Sequence, residues 1–213
     1  MALTFDACGG PGGDGYDAEL IALLEREAVP ATLFLTRRWI DAHAETARTL
    51  AAQPHFELQN HGRQHLPCTV TGRRAFGITG PKDEAAARAE ITGGREAIAQ
   101  LTERKTRFYR PGTGYFEPAC VRLVRELGAR PMGFSVAGDA GGSFSRARMA
   151  RAVGEAPARA IVLLHMNQPG RDIAEALATA LPRLRERGVR LVRLSEAFSN
   201  AGPKPETAVS DRD

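Results

Sequence analysis

An α/β fold built on a parallel sheet is what the sequence predicts, and three observations predict it. Short apolar runs alternate with stretches of helical period from residue 2 to about residue 198. The segments between those runs are long enough to hold a helix, as parallel pairing requires. A chain of 213 residues with 43% hydrophobic content is large enough for one well-buried domain. An incomplete β/α barrel and an open doubly wound sheet satisfy this pattern equally. We expect a single domain over 1–200 and a disordered tail over 201–213, where polar residues and prolines replace the apolar pattern.

In order, Ala2 to Asp6 reads as a strand and Gly9-Gly10-Pro11-Gly12-Gly13 as a flexible loop. Asp17 is a good N-cap for a helix from Ala18 to Ala28, with Leu20, Leu23 and Leu24 on one face. Ala31 to Leu35 is a continuous apolar strand of the kind buried on both faces. A helix from Arg38 to Gln53 follows, and Trp39 is expected to pack within it. The strand Phe56-Glu57-Leu58 then delivers His61. Leu66 to Lys82 reads as a long loop, and such loops in compact domains are commonly functional. A helix from Asp83 to Glu103 should kink at Gly93-Gly94. Arg107 to Arg110 is a strand, Pro118 to Leu127 a helix closed by Gly128, and Met132 to Val136 a strand. A helix near Arg146 to Val153, a strand Ala160 to Leu164, a helix from Ile173 to Arg187 and a strand Arg190 to Val192 complete seven strands.

Charge excludes little. The formal charge is +4, but 26 of the 29 basic residues are arginines scattered along helices, so a nucleic-acid stripe is not expected. No apolar run reaches 18 residues, which argues against a transmembrane segment. The first strand begins at once, without the basic and apolar regions of a signal peptide. This fits a cytoplasmic protein, or a periplasmic or secreted one whose leader has been removed. The oligomeric state is not readable.

Chemistry concentrates in Glu57-Leu58-Gln59-Asn60-His61-Gly62-Arg63-Gln64-His65, which holds two of only five histidines. Gly62 and Pro67 interrupt any helix, so both imidazoles sit where a strand leaves its sheet. Two neutral imidazoles on such a turn can converge on one divalent ion if a further ligand joins them. In either parallel architecture function belongs at the C-terminal strand ends. Asp6, Asn60 with His61, Arg110, Asp139 and His165 all stand there.

Those residues, in order, carry a family resemblance. Thr4-Phe5-Asp6, the His61–His65 stretch, Arg110-Pro111-Gly112-Thr113-Gly114, Asp139 and Leu163-Leu164-His165 resemble the five motifs of the polysaccharide deacetylases, a family of carbohydrate esterases. The resemblance implies a distorted seven-stranded barrel, a divalent metal (zinc foremost), and hydrolysis of an N-acetyl or similar N-acyl group on a sugar. It sets Thr113, through its backbone N–H, and Tyr115 beside the substrate and its oxyanion. General chemistry assigns the rest: His61 and His65 on the metal, Asp6 as base, Arg110 as its clamp, His165 as acid and Asp139 as the orienter of His165. An inactive carbohydrate-binding relative and an amidohydrolase of small non-sugar amides are the alternatives.

One position departs from the pattern. The family's first motif usually reads Thr-Phe-Asp-Asp-Gly, its second aspartate being a metal ligand, and Ala7-Cys8 stands there instead. For the missing ligand Asp17 is expected ahead of Asp14, because a helix start holds it, with Asp6 as the rival. Loops that converge on one metal should also bring Cys8 and Cys68 together as a disulfide under oxidising conditions, leaving Cys120 free.

Overall fold

The computed structural model describes residues 1–199; the expected tail lies outside the described residues. The chain runs β1 (Ala2–Ala7), α1 (Ala18–Arg26), β2 (Ala31–Leu35), α2 (Arg37–Ala42), α3 (Ala44–Ala52) and β3 (Phe56–Asn60). A small hairpin follows, β4 (Arg74–Ala75) and β5 (Ile78–Thr79), and then α4 (Glu84–Thr102) and β6 (Phe108–Tyr109). After a 3₁₀ turn at Gly112–Gly114 come α5 (Pro118–Glu126), β7 (Arg130–Pro131), β8 (Val136–Ala137), α6 (Arg146–Gly154), β9 (Ile161–His165), α7 (Ile173–Glu186) and α8 (Leu194–Ala197).

The main sheet has seven strands in the order β7-β6-β3-β2-β1-β9-β8, and each paired ladder is parallel. Its two edge strands, β7 and β8, are joined by only the four residues 132–135. A flat sheet would set those edges about 29 Å apart, at ~4.8 Å per strand. The link from Pro131 to Val136 reaches at most about 18 Å fully extended. The sheet must therefore curl, and the fold is a distorted (β/α) barrel whose seam is crossed by chain rather than by strand pairing. This settles the choice between barrel and open sheet.

The strand count survives, but two of its members change. The expected strand over Met132–Val136 does not form: residues 132–135 are the link between β7 and β8, which lie at opposite edges, and only Val136 belongs to a strand. The expected strand at Arg190–Val192 is irregular, held by Met1 N donating to the Arg190 carbonyl at 2.8 Å and Val192 N donating to Met1 at 3.0 Å. The single helix expected over Arg38–Gln53 is broken at His43 into α2 and α3. Conversely, α4 runs 19 residues through Gly93 and Gly94 without a break. Those glycines serve close approach, since a Cβ at Gly94 would stand 2.5 Å from the Gly62 carbonyl oxygen and would also strike Asn60 Oδ1. No helix among the described residues is long and apolar enough to cross a membrane.

The core lies between the curled sheet and its helices. Leu3, Phe5 and Ala7 of β1 point into it with Leu20 and Leu24 of α1 and Leu177 and Leu181 of α7. Strand side chains alternate faces. Thr4 and Asp6 consequently face the other way, toward the barrel interior, where Arg110 meets both.

Candidate active site

Arg110 anchors the site. It is completely buried. Its guanidinium donates to Asp6 Oδ1 at 2.8 Å and Thr4 Oγ1 at 2.9 Å, and to the carbonyls of Gly133 at 3.0 Å and Met132 at 3.4 Å across the barrel seam. It also lies 4.3 Å over the Phe34 ring. Burial alone would push the Asp6 carboxyl up, but Arg110, His61 and His165 outweigh it and hold it below the usual range. With Oδ1 tied to Arg110, Oδ2 stands 3.5 Å from His61 Nε2. Asp6 is thus a buried, anionic, oriented carboxylate with one oxygen turned toward the histidine pair.

His61 and His65 leave β3 on a loop that is held from several sides. His61 Nδ1 donates to the Arg110 carbonyl at 2.8 Å, which leaves Nε2 as the ligand atom. Asn60, placed at a strand end, is structural: it donates to the Ile91 carbonyl at 2.8 Å and accepts from Gly62 N at 2.8 Å. The sequence reading missed Glu90 of α4. Its carboxylate accepts from Gln64 N at 3.0 Å and Leu66 N at 3.1 Å, bracketing His65, which sits at φ 66°. Burial pushes the Glu90 carboxyl up. A signal existed in its acidic side chain on the apolar face of a helix, three residues before Gly93. The 3₁₀ turn holding Thr113 (φ 68°) packs on the same loop, for a Cβ at Gly112 would collide with the His65 carbonyl. Tyr115 turns its hydroxyl to Arg73, from which it accepts at 3.0 Å, and so ties the hairpin side of the rim to this turn.

Across the barrel, Asp139 is wholly buried and accepts from His165 N at 2.7 Å, from His165 Nδ1 at 3.0 Å and from Gly141 N at 3.1 Å. Asp139 therefore holds its own turn, through Gly141 N, as well as orienting His165. Burial opposes a charged imidazole, yet Asp139 and Cys8 push His165 well above the ordinary imidazole value.

Cys8 stands where the expectations placed something else. Its Sγ lies 3.9 Å from His61 Nε2, and the ligand atoms of Cys8, His61 and His65 all lie within 4.8 Å of one another. Burial would raise its thiol, but hydrogen bonds with His165, His61 and His65 hold it well below the usual thiol value. Two expectations are overturned here. The disulfide joins Cys68 to Cys120, with Cα atoms 5.6 Å apart, and Cys8 is the free cysteine. Asp17 is outside the converging set and serves α1 instead, accepting from Leu20 N at 3.0 Å as its N-cap. Asp14 stays near His43, 3.6 Å from Nε2, and Trp39 is buried, donating Nε1 to the Gly15 carbonyl at 2.9 Å.

Residues 1–132 match the family model described as polysaccharide deacetylase. The chain belongs to that family. Uncharacterized protein YlxY of Bacillus subtilis (strain 168) is 24% identical over 187 residues, covering 86% of this chain and 53% of its own, so the chain spans about half the length of that curated relative. Among solved structures, BA3943 of Bacillus anthracis, described as a CE4 family pseudoenzyme, aligns at TM-score 0.75 and 22% identity over 92% of this chain and 64% of that one. A family 4 acetyl xylan esterase from Clostridium thermocellum, in complex with a cobalt ion, aligns at TM-score 0.73 and 25% identity over 93% and 89%.

The family's metal fits the residues present. His61 Nε2 is freed for ligation by the carbonyl bond at Nδ1, the arrangement that orients imidazole ligands in metal sites. A second imidazole and an oriented carboxylate stand beside it.

Proposed function

We propose that this polysaccharide deacetylase family member is a metal-dependent hydrolase that removes an N-acetyl, or similar N-acyl, group from a sugar or glycan. The observation that carries the reading is the pair of oppositely poised acid–base groups around the histidines: Asp6 kept anionic by Arg110, and His165 kept protonated by Asp139. Groups whose environments push their protonation apart in this way divide naturally into base and acid.

His61 and His65 would hold a divalent ion, zinc foremost, and such an ion would supply Lewis acidity to the acyl carbonyl and the attacking water. Asp6 Oδ2 accepts the proton of that water while Arg110 fixes the other oxygen. His165 Nε2 delivers a proton to the departing amine nitrogen, its other nitrogen being held by Asp139. The Thr113 N–H, in the turn packed on the His65 loop, serves the oxyanion.

Ala7 and the likeness to a pseudoenzyme favour a second reading, a glycan-binding relative without turnover. An acetate-release screen separates the two, using chitooligosaccharides, peptidoglycan fragments, acetylated xylan and simple N-acetyl compounds with zinc or cobalt added. Release from an N-acetylated sugar that disappears in His61→Ala supports the proposal. Glycan binding with no acetate from any substrate overturns it in favour of the second reading, and release from small non-sugar amides alone moves the substrate class.

A further inference from the structure

We infer that Cys8 is the third protein ligand of the metal centre, its thiolate replacing the aspartate that Ala7 lacks. This rests on the metal-dependent reading above and adds the identity of the donor set.

The argument begins with strand alternation. β1 stays extended through Ala7, which still pairs with Leu35 of β2. Ala7 therefore points into the hydrophobic core, where a carboxylate would be buried without a partner. Thr4 and Asp6 face the barrel interior, and one more alternation places residue 8 on that same side. The donor has moved one residue along the chain because the strand has not ended.

Distances agree with a metal centre. Tetrahedral zinc with Zn–S of about 2.3 Å and Zn–N of about 2.0–2.1 Å sets sulfur and nitrogen about 3.6 Å apart. Cys8 Sγ and His61 Nε2 are 3.9 Å apart, and the three donors all lie within 4.8 Å. Shifts of a few tenths of an ångström to about one ångström close the set. Charge is conserved too, since a thiolate carries the same single negative charge as the carboxylate it replaces. Three protein donors leave the fourth position open, as hydrolytic zinc sites require.

The backbone of Cys8 is also fixed for this duty. Its carbonyl accepts from Thr36 Oγ1 at 2.8 Å and from Arg38 at 3.3 Å, and Arg38 reaches the Gly9 carbonyl at 2.6 Å. A Cβ at Gly9 would stand 2.9 Å from Trp39 N, so the loop after Cys8 lies directly against α2. Thiolate among imidazoles selects zinc or cobalt over magnesium or manganese.

The test is cobalt(II) titration of the metal-stripped full chain without reductant, followed by absorption. The expected result is one equivalent bound with a thiolate-to-cobalt charge-transfer band in the near ultraviolet. Cys8→Ala should lose the band and at least tenfold in cobalt affinity. Cys8→Asp should recover affinity without the band, while a Cys68→Ala/Cys120→Ala protein keeps the band. Stoichiometric cobalt with no charge-transfer band in the unmodified protein, or a band that survives Cys8→Ala, overturns the thiolate assignment and leaves the metal-dependent reading standing. Failure of the unmodified protein to bind cobalt or zinc overturns both.

Discussion

The close approach of α4 to the histidine loop can be tested by the smallest possible change, made twice. Gly93→Ala and Gly94→Ala are identical in chemistry and adjacent in one helix, and each gains about 1 kcal/mol of helix propensity. At Gly93 the three atoms nearest the new methyl all belong to the exposed Arg63 side chain, at 3.0–3.2 Å; its Cγ and Cδ can rotate away and its Cβ must give by a few tenths of an ångström. That variant should be neutral, or more stable by up to about 1 kcal/mol. At Gly94 the methyl meets backbone, with the Gly62 oxygen at 2.5 Å and carbon at 2.6 Å, and it strikes the Asn60 oxygen that accepts from Gly62 N. Overpacking costs about 1–3 kcal/mol. Loss of the Asn60 bond adds ~1 kcal/mol, which cancels the propensity gain. The net loss is about 1–3 kcal/mol, or roughly 2–12 °C in Tm for a chain of this size. Because the displaced backbone carries His61 and His65, Gly94→Ala should also weaken cobalt binding by tenfold or more, whereas Gly93→Ala should not. Thermal melts and metal titrations on the two proteins decide it. Equal melting temperatures with equal metal affinities would refute the claim that α4 sets the position of the histidine loop.

Arg110→Met leaves the buried Asp6 carboxylate without its cation and should cost about 3–5 kcal/mol in urea unfolding, so a loss below about 1 kcal/mol would remove Arg110 from its anchoring role. Asp139→Asn should lower the His165 pKa. An acid must be protonated to act, so the alkaline limb of the rate profile moves to lower pH, with a rate loss on the order of 10²–10⁴-fold; an unmoved limb sinks the acid assignment. The same pair affects folding. A raised imidazole pKa stabilises fully below the unfolded value of about 6.5, and that contribution fades as pH rises through the folded value, so the metal-free protein should lose its stability advantage over Asp139→Asn as pH rises. The Cys68–Cys120 bridge closes a span of 52 residues. Loop closure gives it a worth of ~4 kcal/mol, and denatured, non-reduced protein should titrate as one free thiol, from Cys8.

Much of the site was legible because parallel strands bring their C-terminal ends together whatever the exact topology. Asp6, His61, Arg110, Asp139 and His165 needed only correct strand ends to be recognised as neighbours. What escaped depends on contacts between segments distant in sequence. Nothing in residues 130–137 announces that two dipeptides pair at opposite edges, because that follows from barrel closure. Gly93-Gly94 reads as a kink until the loop that presses on it is known, and Glu90 stands out only as an acid on an apolar helix face, its role unread until Gln64 and Leu66 are seen to donate to it.

The ligand question differs, because local information bearing on it was present. The expectation of Asp17 rests on a helix start that holds it rigidly, and that rigidity is real. It comes from the very bond that occupies the carboxylate, Leu20 N to Oδ1 at 3.0 Å. An N-cap aspartate can be well held because it is already serving as an acceptor, so good anchoring argued against ligation rather than for it. The expected Cys8–Cys68 disulfide follows from proximity to one metal alone, and the path of the loop from His65 to Cys68 decides otherwise. That loop carries Cys68 to its bridge with Cys120 of α5 and a β-bridge with Phe116. Period-two alternation through Thr4, Asp6 and residue 8 needed no structure at all, only a strand that continues past Asp6. Apolar Ala7 in place of a charged residue was itself the sign that the strand continues, since a small apolar side chain there can enter the core and a carboxylate cannot. The substitution that removes the family's ligand is thus the same one that turns the next side chain, Cys8, onto the face where His61 and His65 converge.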